Sequence, residues 1–323
     1  MKKLTCAVLA IVLLFGTCAC GRKNKTVKNR KGKNIYFDTT AAPYSPKETL
    51  TPGEEPTPVP TMAPPKFSGQ AFCVMNAENG EVVYEQNSRE VKYIASITKL
   101  LTALTALDYL EPDETVTIRN EWLKLLKSDP SIECYGMKDG QKYTVNDVIT
   151  MALIKSFGDA AEVLRGATEE KTGEDFLKLM NDKAQEIGME QSHFDNTIGL
   201  DIGNNFKENY STAEDAALLL SVAMKNETIV NACCGKKVTL TDGKTLIHGN
   251  TLLSKGTGYD DYEVVCGKTG ATNASGYSLA FGVKDPATNT RYAIIYLHGP
   301  KSWNTVNTEI SEIAEYVINY LCD

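Results

Sequence analysis

The sequence predicts an α+β domain in which helices flank an antiparallel sheet and also form an inserted helical subdomain. Five strand-like segments support this prediction, because two lie near the start of residues 67–323, the body of the chain, and three lie close to its end. The chain between them is mostly helix-like, and an amphipathic helix closes it. Strands and helices that are segregated in this way are typical of an antiparallel sheet with helices packed against it.

The first two strands are predicted at Ala71–Met75 and Glu81–Tyr84. They are joined through Asn79-Gly80, a dipeptide that favours the tight turn of a hairpin. The other three strands are short apolar runs near the end of the chain, predicted at 264–268, 277–283 and 292–297.

The first helix is predicted from Ser96 to Leu110. It is apolar around nearly its whole girth, so we expect it to be buried, and it stops before Pro112. Thr144 and Asp147 have the spacing of a capping box and open a helix that runs to about Lys155. The remaining helices are predicted from apolar periodicity at 159–167, 174–187, 212–225 and 305–321.

Residues 1–20 are predicted to be a lipoprotein-type signal peptide. Two lysines precede an apolar run from Leu4 to Phe15, which is too short to span a bilayer comfortably. Ala19 precedes Cys20, and a small residue before a cysteine resembles a bacterial lipoprotein cleavage site. Cys20 is therefore the predicted lipidation site. The alternative is ordinary signal-peptide cleavage beside an incidental cysteine.

Residues 21–66 are predicted to be a basic arm and a stiff tether, followed by one domain over 67–323. Eight of the twelve prolines fall between Pro43 and Pro65, as expected for an extended linker. Residues 1–66 hold 11 Lys/Arg and 4 Asp/Glu, whereas residues 67–323 hold 23 and 37. An acidic body argues against nucleic acid as a partner. Lysine and arginine usually flank an apolar segment on its cytoplasmic side, whereas the basic arm follows the segment on the exported side. The arm could serve there to contact anionic lipid or wall polymer.

The cysteines and histidines of the body do not predict a metal site. No Cys-x-x-Cys pair occurs, and the three histidines lack partners at ligand spacing, so we expect no structural zinc and no cofactor. In an exported protein the six body cysteines could form disulfides, and buried free thiols are an equal alternative.

Ser96 and Lys99 are the first candidate catalytic pair. Residues at i and i+3 share one face of a helix, so the two side chains are expected to lie one turn apart. Serine is a weak nucleophile until a base takes its proton, and a buried lysine amine can do so once its pKa is lowered. Because Ser-x-x-Lys also arises by chance, a capped helix with a surface lysine is the alternative.

Two further segments strengthen the catalytic interpretation. Ser156 lies at the end of a predicted helix, where its hydroxyl could relay a proton to a leaving nitrogen. Lys268-Thr269-Gly270 lies on a probable strand, where the first two residues could bind a substrate carboxylate and the glycine would let substrate approach. A second copy, 171–173, lies between two helical segments, and we interpret it as a helix-terminating turn.

These three motifs are those of penicillin-binding proteins and class A β-lactamases. The chain resembles the serine D-Ala-D-Ala carboxypeptidases of peptidase family S11, within the β-lactamase/transpeptidase-like superfamily. The likeness runs from about Gln70 to the end. It includes further family-like segments at 188–201, 210–213, 248–253 and 275–277.

The resemblance implies a five-stranded antiparallel sheet and a role for each motif residue. It implies that Ser96 is acylated, that Lys99 is its base and that Ser156 relays the proton. Lys268 and Thr269 would hold the terminal carboxylate of peptidoglycan stem peptides, with Gly270 beside them. The N–H groups of Ser96 and Ala271 would form the oxyanion hole. β-Lactams are the expected inhibitors, and the expected location is the outer face of a bacterial membrane, held there by lipid on Cys20.

The chain departs from the family pattern at two places. Gly158 stands where the second motif, Ser-x-Asn, has an asparagine whose amide binds the acyl amide of substrate. That contact must be missing or supplied by water or a neighbour, so we expect slow acylation that Gly158→Asn speeds if the backbone accepts a side chain. The family's late arginine is also absent, and only Lys301 is cationic in 299–304.

Two alternative functions follow from the same motifs. A class A β-lactamase needs a glutamate four residues before an asparagine in a loop, but Ser192 holds that place before Asn196. Glu227 to Asn231 does have the Glu-x-x-x-Asn spacing, but it lies in a later helix. The second alternative is a non-catalytic lipoprotein that binds cell wall or senses antibiotics, for which Gly158 is the motive.

Overall fold

The computed structural model describes residues 63–124, 126, 130–200, 209–255 and 261–321, together with two short strands in the arm. These are β1 (Val27–Lys28) and β2 (Asn34–Ile35), which pair antiparallel. The predicted signal peptide with Cys20 and nearly all of the arm and tether lie outside the described residues. Within the described residues, no helix has the length and apolar character needed to cross a membrane.

A five-stranded antiparallel sheet forms the centre of the domain, in the spatial order β4-β3-β11-β10-β9. The strands are β3 (Ala71–Asn76), β4 (Val82–Gln86), β9 (Glu263–Thr272), β10 (Gly276–Lys284) and β11 (Arg291–Gly299). The hairpin at Asn79-Gly80 is confirmed, since Gly80 has a φ of 75°. The predicted α+β class and five-stranded sheet are therefore confirmed.

The helices are α1 (Thr98–Leu107), α2 (Val145–Ile154), α3 (Gly158–Thr172), α4 (Phe176–Ile187), α5 (Ala213–Ala223), α6 (Glu227–Cys233), α7 (Thr251–Lys255) and α8 (Trp303–Tyr320). Two small two-stranded antiparallel sheets lie among them, β5 (Thr115–Thr117) with β6 (Lys142–Thr144) and β7 (Lys237–Thr239) with β8 (Thr245–Ile247). Neither of these small sheets was predicted, because three-residue strands carry too little periodicity to be distinguished from loop.

The two faces of the sheet bury different sets of side chains. On β11, Ile294 and Tyr296 belong to the cluster that packs under α8, whereas Ala293 and Ile295 belong to the larger cluster with α1 and α5. Alternation along a strand sends successive side chains to opposite faces, so this central strand is apolar throughout. The sheet is thus covered on both faces, and its β9 edge lies against the segment that carries Ser96.

Capping explains where several helices begin and end. Thr144 accepts a hydrogen bond from the Asp147 N–H, as predicted, but the buried Asp147 carboxylate accepts from the N–H and hydroxyl of Thr241. The predicted helix at Ser96–Leu110 is shorter, because Ala95–Ile97 is a 3-10 turn and α1 proper ends at Leu107.

Five described cysteines are free thiols, and the sulfurs of buried Cys233 and Cys266 lie 3.3 Å apart.

Candidate active site

The 3-10 turn before α1 places Ser96 and Lys99 in contact. Lys99 Nζ lies 2.9 Å from Ser96 Oγ. Lys99 is only 3% exposed, whereas Ser96 is partly open to solvent. Ala95, which precedes the serine, has a φ of 46°, a conformation that a residue with a side chain rarely adopts. Backbone strain of this kind is characteristic of positions whose geometry serves a function.

A backbone carbonyl from a distant loop completes the surroundings of the lysine. The Ile198 oxygen accepts from Lys99 Nζ at 2.8 Å and lies 3.4 Å from Ser96 Oγ. The loop is held by Asn196, whose side-chain oxygen accepts from the backbone N–H groups of Ile198, Gly199 and Leu200. Sequence reasoning assigned no role to Ile198 or Asn196, because a backbone acceptor leaves no trace in residue type.

The same loop approaches the nucleophile so closely that only glycine fits at position 199. Gly199 has a φ of 83°, and a Cβ placed on it would lie 1.9 Å from the Ala95 carbonyl oxygen. The loop therefore packs directly on the backbone that carries Ser96. Asn209 adds to the support by donating to Thr98 Oγ1 at 3.2 Å.

Burial and the nearby Lys268 make the ammonium group of Lys99 a stronger acid than that of an ordinary lysine. Removal from water lowers the pKa of the Lys99 amine well below its ordinary value, and the positive charge of Lys268 lowers it further. Cys134 and Glu133 act in the opposite direction with smaller effects. A lowered pKa favours the neutral amine, which is the state that can accept the Ser96 proton.

Ser156 and Lys268 form the second contact of the site. Lys268 Nζ donates to Ser156 Oγ at 3.0 Å and to the Thr269 carbonyl at 2.9 Å. Lys268 is 1% exposed, and burial lowers its pKa to about 7. Ser156 has a φ of 61°, so a second residue of the site is held in strained backbone. It lies just after α2 ends, as the sequence analysis predicted.

Strand β9 brings the Lys-Thr-Gly motif against the nucleophile segment. The motif lies wholly within the strand, which extends past the predicted end to Thr272. A Cβ on Gly270 would lie 2.6 Å from the Ile94 carbonyl oxygen, so glycine permits this contact. Thr269 is partly exposed, and Ala271 is exposed and pairs with Tyr277. The oxyanion roles of the Ser96 and Ala271 N–H groups stay predictions.

Gly158, the first residue of α3, has no room for a side chain. A Cβ there would lie 2.4 Å from Ile132 Cγ2 and 3.3 Å from Leu126 Cδ2. The expectation that Gly158→Asn speeds acylation required a backbone that accepts a side chain. The φ of Gly158 lies outside the left-handed region, so the obstacle to a side chain is the Ile132 side chain and not the backbone. The effect of Gly158→Asn on acylation stays a prediction, and a gain in rate requires Ile132 to move aside.

The second Lys-Thr-Gly copy is a helix end, as predicted. Lys171 and Thr172 close α3, and Gly173 caps it with a φ of 71°. Lys171 pairs with Glu114 at 2.6 Å on the surface.

Lys301 is exposed and donates to Asn273 in the turn between β9 and β10. Within the described ranges, no group of three or more His, Cys, Asp or Glu residues has metal-binding geometry.

The family model for D-alanyl-D-alanine carboxypeptidase, Peptidase_S11, matches residues 59–295 of this chain. The chain is 27% identical over 257 residues to the D-alanyl-D-alanine carboxypeptidase DacF of Bacillus subtilis, which covers 76% of this chain and 61% of the relative. It is 31% identical over 221 residues to a D-alanyl-D-alanine endopeptidase of Pseudomonas aeruginosa, which covers 66% of each chain.

A solved structure with similar architecture is penicillin-binding protein D2 from Listeria monocytogenes in its cefotaxime-bound form. Its TM-score is 0.62 at 29% identity, over 78% of this chain and 99% of that one. The matched regions span 56% to 61% of the length of the first three curated relatives. From the family match over residues 59–295, the chain belongs to the D-alanyl-D-alanine carboxypeptidase family S11.

Proposed function

We propose that this protein is a serine D,D-carboxypeptidase that removes the terminal D-Ala from peptidoglycan stem peptides. The observation that carries the proposal is the contact between Ser96 Oγ and Lys99 Nζ at 2.9 Å, with the lysine buried and its pKa lowered. A nucleophile beside a neutral base is the minimum that acyl transfer requires.

In the first half of the reaction, Lys99 takes the Ser96 hydroxyl proton as Oγ attacks the carbonyl carbon of the penultimate D-Ala. The peptide C–N bond then breaks, and the leaving nitrogen receives a proton by way of the Ser156 hydroxyl. The acyl group stays on Ser96 as an ester, and D-Ala departs. β-Lactams acylate the same serine when their ring amide opens, and that ester is the inhibited state.

Lys268 serves the substrate carboxylate in this scheme. A protonated lysine on a strand edge, next to the Thr269 hydroxyl, offers charge-assisted hydrogen bonds to the terminal carboxylate of D-Ala. Its contact with Ser156 also links carboxylate binding to the proton relay. A bound carboxylate favours the charged amine and raises its pKa, so substrate holds Lys268 in the state that binds it.

In the second half, water attacks the ester while Lys99 accepts its proton and Ser96 recovers its own. The β-lactamase alternative lacks the glutamate that deacylation needs, because Ser192 holds its place and donates its hydroxyl to Asp215 at 2.7 Å. The wall-binding alternative shares the same site and differs only in turnover. Both carboxypeptidase and endopeptidase occur among the names of the relatives.

We further propose that the protein is exported and held at the outer face of a bacterial membrane by lipid on Cys20. The apolar run before Ala19-Cys20 and the proline-rich tether after it support this proposal. Cys20→Ala is expected to release the protein from membranes or to block its processing. Unchanged membrane retention without lipid on a mature N-terminal cysteine would count against the anchor.

One experiment separates the functions. The wild-type protein is incubated with fluorescent penicillin and, separately, with a stem pentapeptide ending in D-Ala-D-Ala, and released D-Ala is measured. A carboxypeptidase gives covalent label and D-Ala, and a sensor gives label without D-Ala. A β-lactamase hydrolyses the penicillin with little label. Ser96→Ala must abolish the label, and label that survives this change contradicts the mechanism.

A further inference from the structure

The loop formed by residues 130–137 is fixed beside the second motif by one buried carboxylate. Asp159 is 1% exposed and accepts hydrogen bonds from the backbone N–H groups of Tyr135, Gly136 and Met137, at 2.8 to 3.0 Å. It also accepts from the N–H of Ala160 in the first turn of α3. These four hydrogen bonds to one side chain tie the loop to the start of α3.

The loop lies against Gly158 through both backbone and side chain. The Gly158 N–H donates to the Glu133 carbonyl at 2.8 Å. A Cβ at position 158 would meet Ile132 Cγ2 at 2.4 Å, so the isoleucine occupies the volume into which a motif side chain would extend. Gly158 and Ile132 are therefore complementary, because the position of the isoleucine requires a residue without a Cβ at position 158.

The same loop faces the catalytic lysines. Cys134 and Glu133, which follow Ile132 directly, act electrostatically on Lys99, and Glu133 also acts on Lys268. Lys268 in turn contacts Ser156, two residues before Gly158. The Ile132 side chain thus lies against Gly158, two residues after the Ser156 that contacts Lys268.

We propose that Ile132 is a specificity-determining residue whose hydrocarbon side chain replaces the motif amide in the acyl-binding wall. The inference rests on the proposed function and names the acyl donors that the site accepts. A hydrocarbon wall gives no hydrogen bond to an acylamino group, so the site discriminates little between acyl donors that carry this group and those that lack it. Apolar contact with the acyl chain takes the place of the amide contact.

The test compares two penicillins, benzylpenicillin and a penicillin nucleus without the 6-acylamino group. The measured quantity is the ratio of their second-order acylation rates. In the wild type we expect the acylation rate with benzylpenicillin to exceed that with the unsubstituted nucleus by a factor of about ten or less. Gly158→Asn alone should lower acylation by both compounds, because the new side chain collides with Ile132. The double variant Ile132→Ala/Gly158→Asn should raise the ratio by about three- to ten-fold, the value of one hydrogen bond.

Ile132→Asn is the second variant, and it leaves the Gly158 backbone unchanged. It offers an amide from the opposite side of the same volume, so the ratio should rise, whereas Ile132→Leu should leave the ratio as it is. The matched control is Gly166 of α3, where a Cβ would meet Trp122 Cγ at 2.2 Å. Trp122→Ala/Gly166→Asn relieves the same kind of crowding away from the site and should not change the ratio.

The proposal is overturned if Gly158→Asn acylates faster than wild type while Ile132 is intact. It is also overturned if neither amide-bearing variant raises the ratio, or if the Gly166 control raises it equally. These outcomes differ from failure of the proposed function, in which wild type shows no Ser96-dependent label at all. Normal labelling without coupling between positions 132 and 158 rejects only the assignment of Ile132.

Discussion

The side-chain oxygen of Asn196 accepts a hydrogen bond from the backbone N–H of Gly199 at 2.7 Å. This bond shapes the turn that presents the Ile198 carbonyl to Lys99. Since Asn196 is 8% exposed, water cannot readily replace it as an acceptor.

We therefore predict that Asn196→Ala acts on both catalysis and stability. Three backbone N–H groups lose their acceptor, so the free energy of unfolding should fall by about 1–3 kcal/mol. Because Lys99 loses its carbonyl partner, kcat should fall more than KM rises. Urea unfolding and steady-state kinetics measure the two effects. Asn196→Asp keeps the acceptor oxygen and should recover most of the loss; equal damage in both variants contradicts this account.

The pH dependence of kcat/KM should be bell-shaped. The acid limb reports Lys99, which must be neutral to act as base. The alkaline limb reports Lys268, which must be protonated to bind carboxylate and whose pKa burial lowers to about 7. Activity should therefore decline as pH rises above about 7. In the pH profile of kcat, the alkaline limb should lie at higher pH than in the profile of kcat/KM, because a bound substrate carboxylate favours the charged amine of Lys268.

Lys268→Arg is the control for this assignment. Arginine stays protonated over the accessible pH range, so the alkaline limb should disappear even if overall activity is lower. An alkaline limb that persists unchanged in Lys268→Arg would assign it to another group. Besides burial, Cys233 on α6 and Glu133 on the loop act on the pKa of Lys268, and the charge of Lys268 in turn lowers the pKa of Lys99 and of His248.

The two Lys-Thr-Gly copies should respond differently to the same substitution. Lys268→Ala removes a charge-assisted contact worth about 1.5–3 kcal/mol, so kcat/KM should fall by roughly ten- to a hundred-fold with a clear rise in KM. Lys171→Ala removes a partly exposed ion pair with Glu114 and should change stability by at most about 1 kcal/mol, with activity kept. The reverse result would mean that 171–173 is the functional copy.

His248 should make the fold sensitive to acid. Its Nδ1 accepts from the Asn250 N–H at 3.1 Å while its Nε2 donates to the Cys233 carbonyl at 3.0 Å, an arrangement that only the neutral ring allows. Burial, together with the charge of Lys268, lowers the pKa of His248 from 6.5 to about 4.

The sign of the stability effect follows from this difference. Above pH 6.5 the ring is neutral in both folded and unfolded chains, and its contribution is complete. As pH falls from 6.5 towards 4, the unfolded chain binds the proton first, and stability on the order of 3 kcal/mol is lost. Urea unfolding at pH 7.5 and 4.5 should show a larger loss for wild type than for His248→Gln. Equal losses would exclude His248 as the source.

Much of the fold was predictable because its signals are local. Thr144 caps α2 within three residues, Asn79-Gly80 turns the first hairpin, and Gly173 ends α3. The candidate site was predictable as a set of residue types, since Ser96 and Lys99 lie one helical turn apart whatever surrounds them.

What sequence reasoning missed depends on contacts between distant residues. The Ile198 carbonyl reaches Lys99 through the backbone, so the identity of residue 198 carries no information about the contact. Gly158 was recognised as a departure, but Ile132 lies on another loop and only folding brings the two together. The lowered pKa of Lys268 likewise comes from burial that no short motif encodes.

The close approach of Gly199 to the Ala95 carbonyl has a consequence for the order of folding. The nucleophile and the Ile198 carbonyl are 102 residues apart in sequence, and Gly270 reaches the same segment from still farther along the chain. Closing such long loops comes late, after local helices have formed. A half-folded chain thus carries Ser96 on an ordinary helix start, beside a lysine that is still hydrated and charged. Reactivity toward penicillin during refolding should lag behind helix recovery and report the last docking event.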